Sequence, residues 1–141
     1  MLTTPAALLS AAVTIIAVVV YLSTGIVAGR MRGVYKIAAP AVTGAPEFER
    51  AYRVQLNTLE QLAVFLPLLW IATAFPTGID YLAPAFGLVW VAGRILYMQG
   101  YLAAPEKRSL GFNIAAGATV ALLLLSIVGV VMRVLVLHGV L

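Results

Sequence analysis

Cysteine is absent from the 141 residues. Its absence excludes disulfides, thiolate metal sites and cysteine nucleophiles, and leaves the redox compartment unreadable. Charge is scarce as well: 10% of the chain is Asp, Glu, Lys or Arg, against 63% hydrophobic residues. A soluble domain carries roughly 25% charged and about 45–50% apolar residues, so this chain has too little polar surface to stay in water. Three stretches, 5–29, 61–79 and 109–132, hold no charged residue at all, and a helix crossing a bilayer needs about 20 apolar residues. These gaps indicate an integral membrane protein and set soluble enzymes aside. The nine Lys and Arg against five Asp and Glu then speak of membrane topology, and no nucleic-acid partner is expected. No metal is expected either.

What remains between the gaps divides the chain into four spans, about 5–28, 47–74, 81–103 and 108–137, in a single domain covering 1–141. Long apolar runs without the alternation of barrel strands make these helices. Pro5 suits a first helical position. The residues before it carry no basic side chain, so the first run is expected to be a permanent span rather than a secretory leader. A polar loop from Arg30 to about Glu47 contains Pro40, Gly44 and Pro46. Phe75 to Asp80 forms a short turn, and Ala104 to Lys107 a short connection. Short connections predict an up-down-up-down bundle. Arg30, Arg32, Lys36, Arg50 and Arg53 cluster at the first loop and Lys107 and Arg108 at the third connection, whereas the second turn holds only Asp80. Positive charge stays in the cytoplasm, so both termini are expected on the other side. Arg133 and His138 there read as headgroup anchors, and Trp70 and Trp90 as aromatic-belt residues near the same interface. Pro67 is expected to kink the second helix.

An ionisable side chain within a span costs about 2.5–3.5 kcal/mol on insertion scales and marks a functional site by default. On the second helix Arg53, Asn57 and Glu60 fall at i, i+4, i+7 and share a stripe, with Gln61 beside it. That stripe faces either the bundle interior or a neighbouring subunit. On the third helix Arg94, Tyr97 and Tyr101 share a face in the same way. The antiparallel arrangement puts both stripes at one depth, close to Arg108. Glu60 can serve there as an ion-pair partner for Arg94 or Arg53. Against that, Arg32, Arg53, Arg94 and Arg108 face only Glu60, or Glu47 and Glu49 at the rim. A surplus of guanidiniums among tyrosines and an amide suits an anionic ligand with several carboxylates.

The run Phe48-Glu49-Arg50-Ala51-Tyr52-Arg53-Val54-Gln55-Leu56-Asn57-Thr58-Leu59-Glu60 resembles the signature of the MAPEG family, the membrane-associated proteins of eicosanoid and glutathione metabolism. Thr43-Gly44-Ala45-Pro46-Glu47 before it fits, as does Arg94-Ile95-Leu96-Tyr97-Met98-Gln99-Gly100-Tyr101 with Arg108 seven residues on. The pattern is most similar to the leukotriene-forming glutathione transferase branch. The resemblance implies a homotrimer that binds glutathione between adjacent subunits toward the cytoplasm. By position, Arg32, Arg53, Gln55, Asn57, Glu60, Tyr97 and Tyr101 would hold the tripeptide. Arg108 would be the catalytic residue beside the thiol, and Arg94 an ion-pair partner in the supporting network.

The implied function is a membrane-bound glutathione transferase, also within reach of peroxidase chemistry. It would join the glutathione thiolate to a lipophilic electrophile from the bilayer, a detoxification reaction. The alternative is a non-catalytic lipid-binding scaffold of the same family; Arg108 and the retained pocket residues favour the enzyme. The chain departs from the leukotriene branch in having Gln61 where a tyrosine follows the signature glutamate, and Gly33 where a second arginine follows the first. Ser109 is either an N-cap or, as in the prostaglandin-isomerase branch, a helper of the thiol.

Overall fold

The computed structural model describes residues 4–140; residues 1–3 and 141, the ends of the expected domain, lie outside the described residues. Four helices make up the bundle: α1 (Pro5–Val34), α2 (Pro46–Ala74), α3 (Leu82–Ala103) and α4 (Ser109–Leu137), with a single 3-10 turn at Pro105–Arg108 before α4. Each is long and apolar enough to cross a membrane, and no strand occurs among the described residues.

The ends of the helices follow from local chemistry. Thr4 caps α1, its Oγ1 accepting from the Ala7 amide at 3.2 Å, and Pro5 occupies the first turn, where a missing N–H costs nothing. Pro46 opens α2 in the same way, with Glu47 and Glu49 in the first turn, where the helix dipole favours negative charge. The Glu49 carboxylate also accepts from the Gly44 amide at 2.8 Å, which closes the preceding loop onto the helix. α1 continues to Val34, beyond the expected end at Ala28. Nothing between Gly29 and Val34 forbids helix, and its 30 residues span about 45 Å at 1.5 Å each, longer than a hydrocarbon layer of about 30 Å. Arg30 and Arg32 therefore ride on a helical extension rather than in a loop.

Each helix buries one narrow stripe of small or apolar side chains. In α1 it is Ser10, Val13, Ala17, Val20, Thr24 and Ala28; in α4 it is Gly111, Ala115, Ala118, Leu122, Ser126 and Gly129. Spacings of three and four residues keep these on one face, and most of the other Leu, Ile and Val side chains of α1 and α4 are exposed on the outer surface. Phe65 and Trp90 stack at the centre, ring centroids 4.0 Å apart and planes 5° from parallel. Trp90 is thus a core residue, fully buried, and not the belt residue its depth suggested. It sits four residues before Arg94 on the same inward face, and face overrides depth. Trp70 is half-buried.

Two glycines set the geometry of the site. A Cβ on Gly111 would run into the Tyr97 backbone, so α4 packs directly on α3 beside that tyrosine. A Cβ on Gly100 would run into the Lys107 carbonyl, so the 3-10 turn folds back over the end of α3. Small residues permit such approaches between membrane helices.

Candidate functional site

Most of the charge gathers at one end of the bundle, around the 35–45 loop and the 3-10 turn, called the basic end below. The polar stripe of α2 runs one residue out of step with its buried stripe: Val54 and Thr58 are buried, Asn57 is half-buried, and Arg53 and Glu60 are exposed. The stripe therefore borders the core instead of filling it. Arg53, Asn57, Tyr97 and Arg108, together with Ser109, Phe112 and Asn113 of α4, line a hollow of about 370 Å³. Arg53 is also a wall of an adjoining hollow of about 600 Å³, where it meets Glu49, Arg50, Tyr52 and Tyr101. Both volumes fall in the range of roughly 300–1,000 Å³ usual for small-molecule sites.

The fold brings Arg108 back to α3 across seven residues. Its Nη1 donates to the Tyr101 hydroxyl at 3.3 Å, and its guanidinium lies 5.1 Å from the centre of that ring. Tyr101 and Tyr97 meet edge to face at 5.6 Å. Asn57 donates from Nδ2 to the Glu60 carboxylate at 3.5 Å. Arg53, Asn57, Tyr97, Tyr101 and Arg108 thus share one connected pair of hollows within a single chain, with Glu60 one side chain away.

Two sequence candidates point elsewhere. Arg32 donates from Nη1 to the carbonyls of Ala41 at 2.8 Å and Ile37 at 3.4 Å, and stacks over Phe48 at 4.7 Å. Within one chain it fastens the 35–45 loop. Gln55 lies against α1, where a Cβ on Gly25 would stand 3.4 Å from its Nε2; it lines neither hollow. Among the described residues the one ion pair joins Arg50 to Glu47 at 3.4 Å. Arg94 is therefore no ion-pair partner of Glu60. It is buried and donates from Nη2 to Thr58 Oγ1 at 2.7 Å and to Asn57 Oδ1 at 3.2 Å.

Neither Phe112 nor Asn113 is part of the motifs. The spacing of Asn113 four residues after Ser109 was the available signal, since it puts both polar side chains on one face. Among the described residues no three His, Asp or Glu side chains gather as a metal site would need.

Chemically, two exposed guanidiniums without a carboxylate partner among the described residues, an amide and a tyrosine around one hollow form an anion-binding surface. The sequence profile of the MAPEG family matches residues 8–128. An uncharacterized protein of Synechocystis is 47% identical over 108 residues, covering 75% of this chain and 76% of its own length. Human microsomal glutathione S-transferase 2 is 41% identical over 102 residues, or 72% of this chain and 68% of its own. Bovine leukotriene C4 synthase is 34% identical over 123 residues, or 86% and 79%.

Proposed function

The chain belongs to the MAPEG family, and from that premise we propose that it is a membrane-bound glutathione transferase acting on lipophilic electrophiles. The observation that carries this reading is the hollow of Arg53, Asn57, Tyr97 and Arg108, in which no carboxylate of the described residues pairs with either guanidinium. Relatives named as glutathione S-transferase and leukotriene C4 synthase support it.

In this reading Arg53 binds a carboxylate of the tripeptide, Asn57 and Tyr101 supply neutral hydrogen bonds, and Glu60 faces its ammonium. Arg32 and Gln55, which point out of the hollow of their own chain, serve the site of a neighbouring copy in a homotrimer. Arg53 and Glu60, exposed and without an ion pair among the described residues, support that assembly, because charges at membrane depth need partners.

The chemistry falls to Arg108. A free thiol has a pKa near 8.5 and is only slightly ionised at neutral pH, and a fixed cation beside it favours the thiolate. Arginine suits the task because it keeps its own proton. The glutathione proton leaves to water. The thiolate lone pair forms a C–S bond at the electrophilic carbon, and the leaving group departs with its bonding electrons.

Calorimetric titration of the detergent-purified protein with glutathione, followed by turnover with an aryl halide, tests the proposal. Saturable binding and release of halide are expected. Binding without turnover toward aryl halides, unsaturated carbonyls or hydroperoxides would point to the lipid-binding scaffold instead, and no binding would contradict the proposal outright.

A further inference from the structure

Arg94 is the one charged side chain buried among the described residues, 1% exposed, and no step above uses it. Its Nη2 holds Thr58 Oγ1 at 2.7 Å and Asn57 Oδ1 at 3.2 Å. The Thr58 hydroxyl proton is already committed to the Val54 carbonyl at 2.7 Å. The guanidinium lies 4.1 Å from the centre of the Tyr97 ring. Nε and Nη1 are buried with no partner among the described residues, and no carboxylate there comes within ion-pair distance.

For stability alone this is a poor arrangement. A buried charge without a counter-ion carries a desolvation cost that no ion pair offsets, and each unmade buried hydrogen bond adds a penalty. The arrangement does settle the orientation of Asn57. Arginine can only donate, so Asn57 must turn its carbonyl oxygen inward. Its amide nitrogen then faces outward, where Nδ2 stands 3.5 Å from the Glu60 carboxylate and Asn57 lines the hollow with Arg53 and Arg108. With the opposite rotamer two sets of donors would face each other inside the bundle.

We propose that Arg94 is a positioning residue of the glutathione site, acting through Asn57: it locks the amide so that its NH2 is presented to the hollow as a donor to a ligand oxygen. Stacking on Tyr97 fixes a second wall of the same hollow. The inference rests on the proposed glutathione reading. It adds that the outer face of Asn57 is a donor because of a residue the ligand never touches.

A double-mutant cycle read by calorimetry and steady-state kinetics tests it. Arg94→Met and Asn57→Ala should each raise the Kd for glutathione about tenfold, the scale of one hydrogen bond to a charged group. The double variant should lose about tenfold and not a hundredfold, since both changes remove one device. KM should rise while kcat holds, because the thiol is served by Arg108. Asn57→Asp separates positioning from mere structure. Its carboxylate pairs with Arg94 and should raise the melting temperature, yet it removes the outward donor and should still weaken binding about tenfold. Should Arg94→Met fail to fold, Asn57→Asp, which leaves Arg94 untouched, carries the test by itself. Additive losses, or wild-type affinity in Asn57→Asp, overturn the inference while leaving the glutathione reading intact. Absence of binding in the wild-type protein overturns both.

Discussion

Arg53 and Glu60 carry charge on the outer flank of α2 because their stripe lies one residue away from the buried Val54 and Thr58. Their spacing was legible in the sequence, but which way the stripe turns was not, since only packing against α1 and α3 fixes the rotation of α2. If they contact the ligand, Arg53→Ala and Glu60→Gln should each weaken glutathione binding by about 1.5–3 kcal/mol, the range for hydrogen bonds to charged groups. Calorimetry on folded variants reads this directly, and unchanged affinity would reduce both residues to headgroup anchors. Arg94 shows the opposite limit of sequence reading. The face it shares with Tyr97 was legible from spacing, but its burial and its partners were not. Thr58 and Asn57 accept from it where a carboxylate was expected, because Glu60 lies on the exposed side of the stripe. Arg32 is similar: its bonds to the Ala41 and Ile37 carbonyls depend on the path of a loop, for which one sequence offers no periodicity.

Among the elements, the seam between α3 and α4 sets one side of the smaller hollow, with Tyr97 from α3 and Ser109, Phe112 and Asn113 from α4. Their contact depends on Gly111 against the Tyr97 backbone and on Gly93, where a Cβ would stand 2.6 Å from the Ala115 nitrogen. Gly111→Val should therefore force the helices apart. Overpacking of this kind costs about 1–3 kcal/mol, visible as a lower melting temperature, and Tyr97 should lose its place beside Arg108, so turnover should fall as well. Gly117, in the same helix with nothing within 4 Å of its Cβ position, is the control. Gly117→Ala should hold or raise stability, as alanine restricts the unfolded chain. Equal effects at the two positions would contradict the packing account. The spans themselves were legible because uncharged runs of that length have few alternatives. The extension of α1 to Val34 was less so, since a helix leaving the bilayer meets water and stops only where the chain turns. Trp90 was misread because depth along a helix and direction around it are independent, and only the second decides burial.

On the scale of the whole molecule, the charge asymmetry places the 35–45 loop and the 3-10 turn in the cytoplasm under the proposed topology. The lack of native cysteine makes this easy to test. Thr43→Cys should react only with reagents that cross the membrane and Thr77→Cys with impermeant ones; the reverse pattern would invert the orientation. The proposed homotrimer is open to native mass spectrometry, where a monomer that still binds glutathione would contradict a site shared between copies. In the proposed reading, topology and assembly matter because they deliver a water-soluble thiol and a bilayer-borne electrophile to the same arginine. The central claim is that Arg108 makes that thiol a thiolate. The most direct measurement is the ultraviolet thiolate absorbance of bound glutathione, titrated against pH in the wild-type protein and in Arg108→Ala. A nearby cation lowers a thiol pKa by about 1–3 units. The wild-type titration should therefore lie well below the free-thiol value near 8.5, and that of Arg108→Ala should return toward it with glutathione still bound. Coincident titrations for the two proteins would contradict the account.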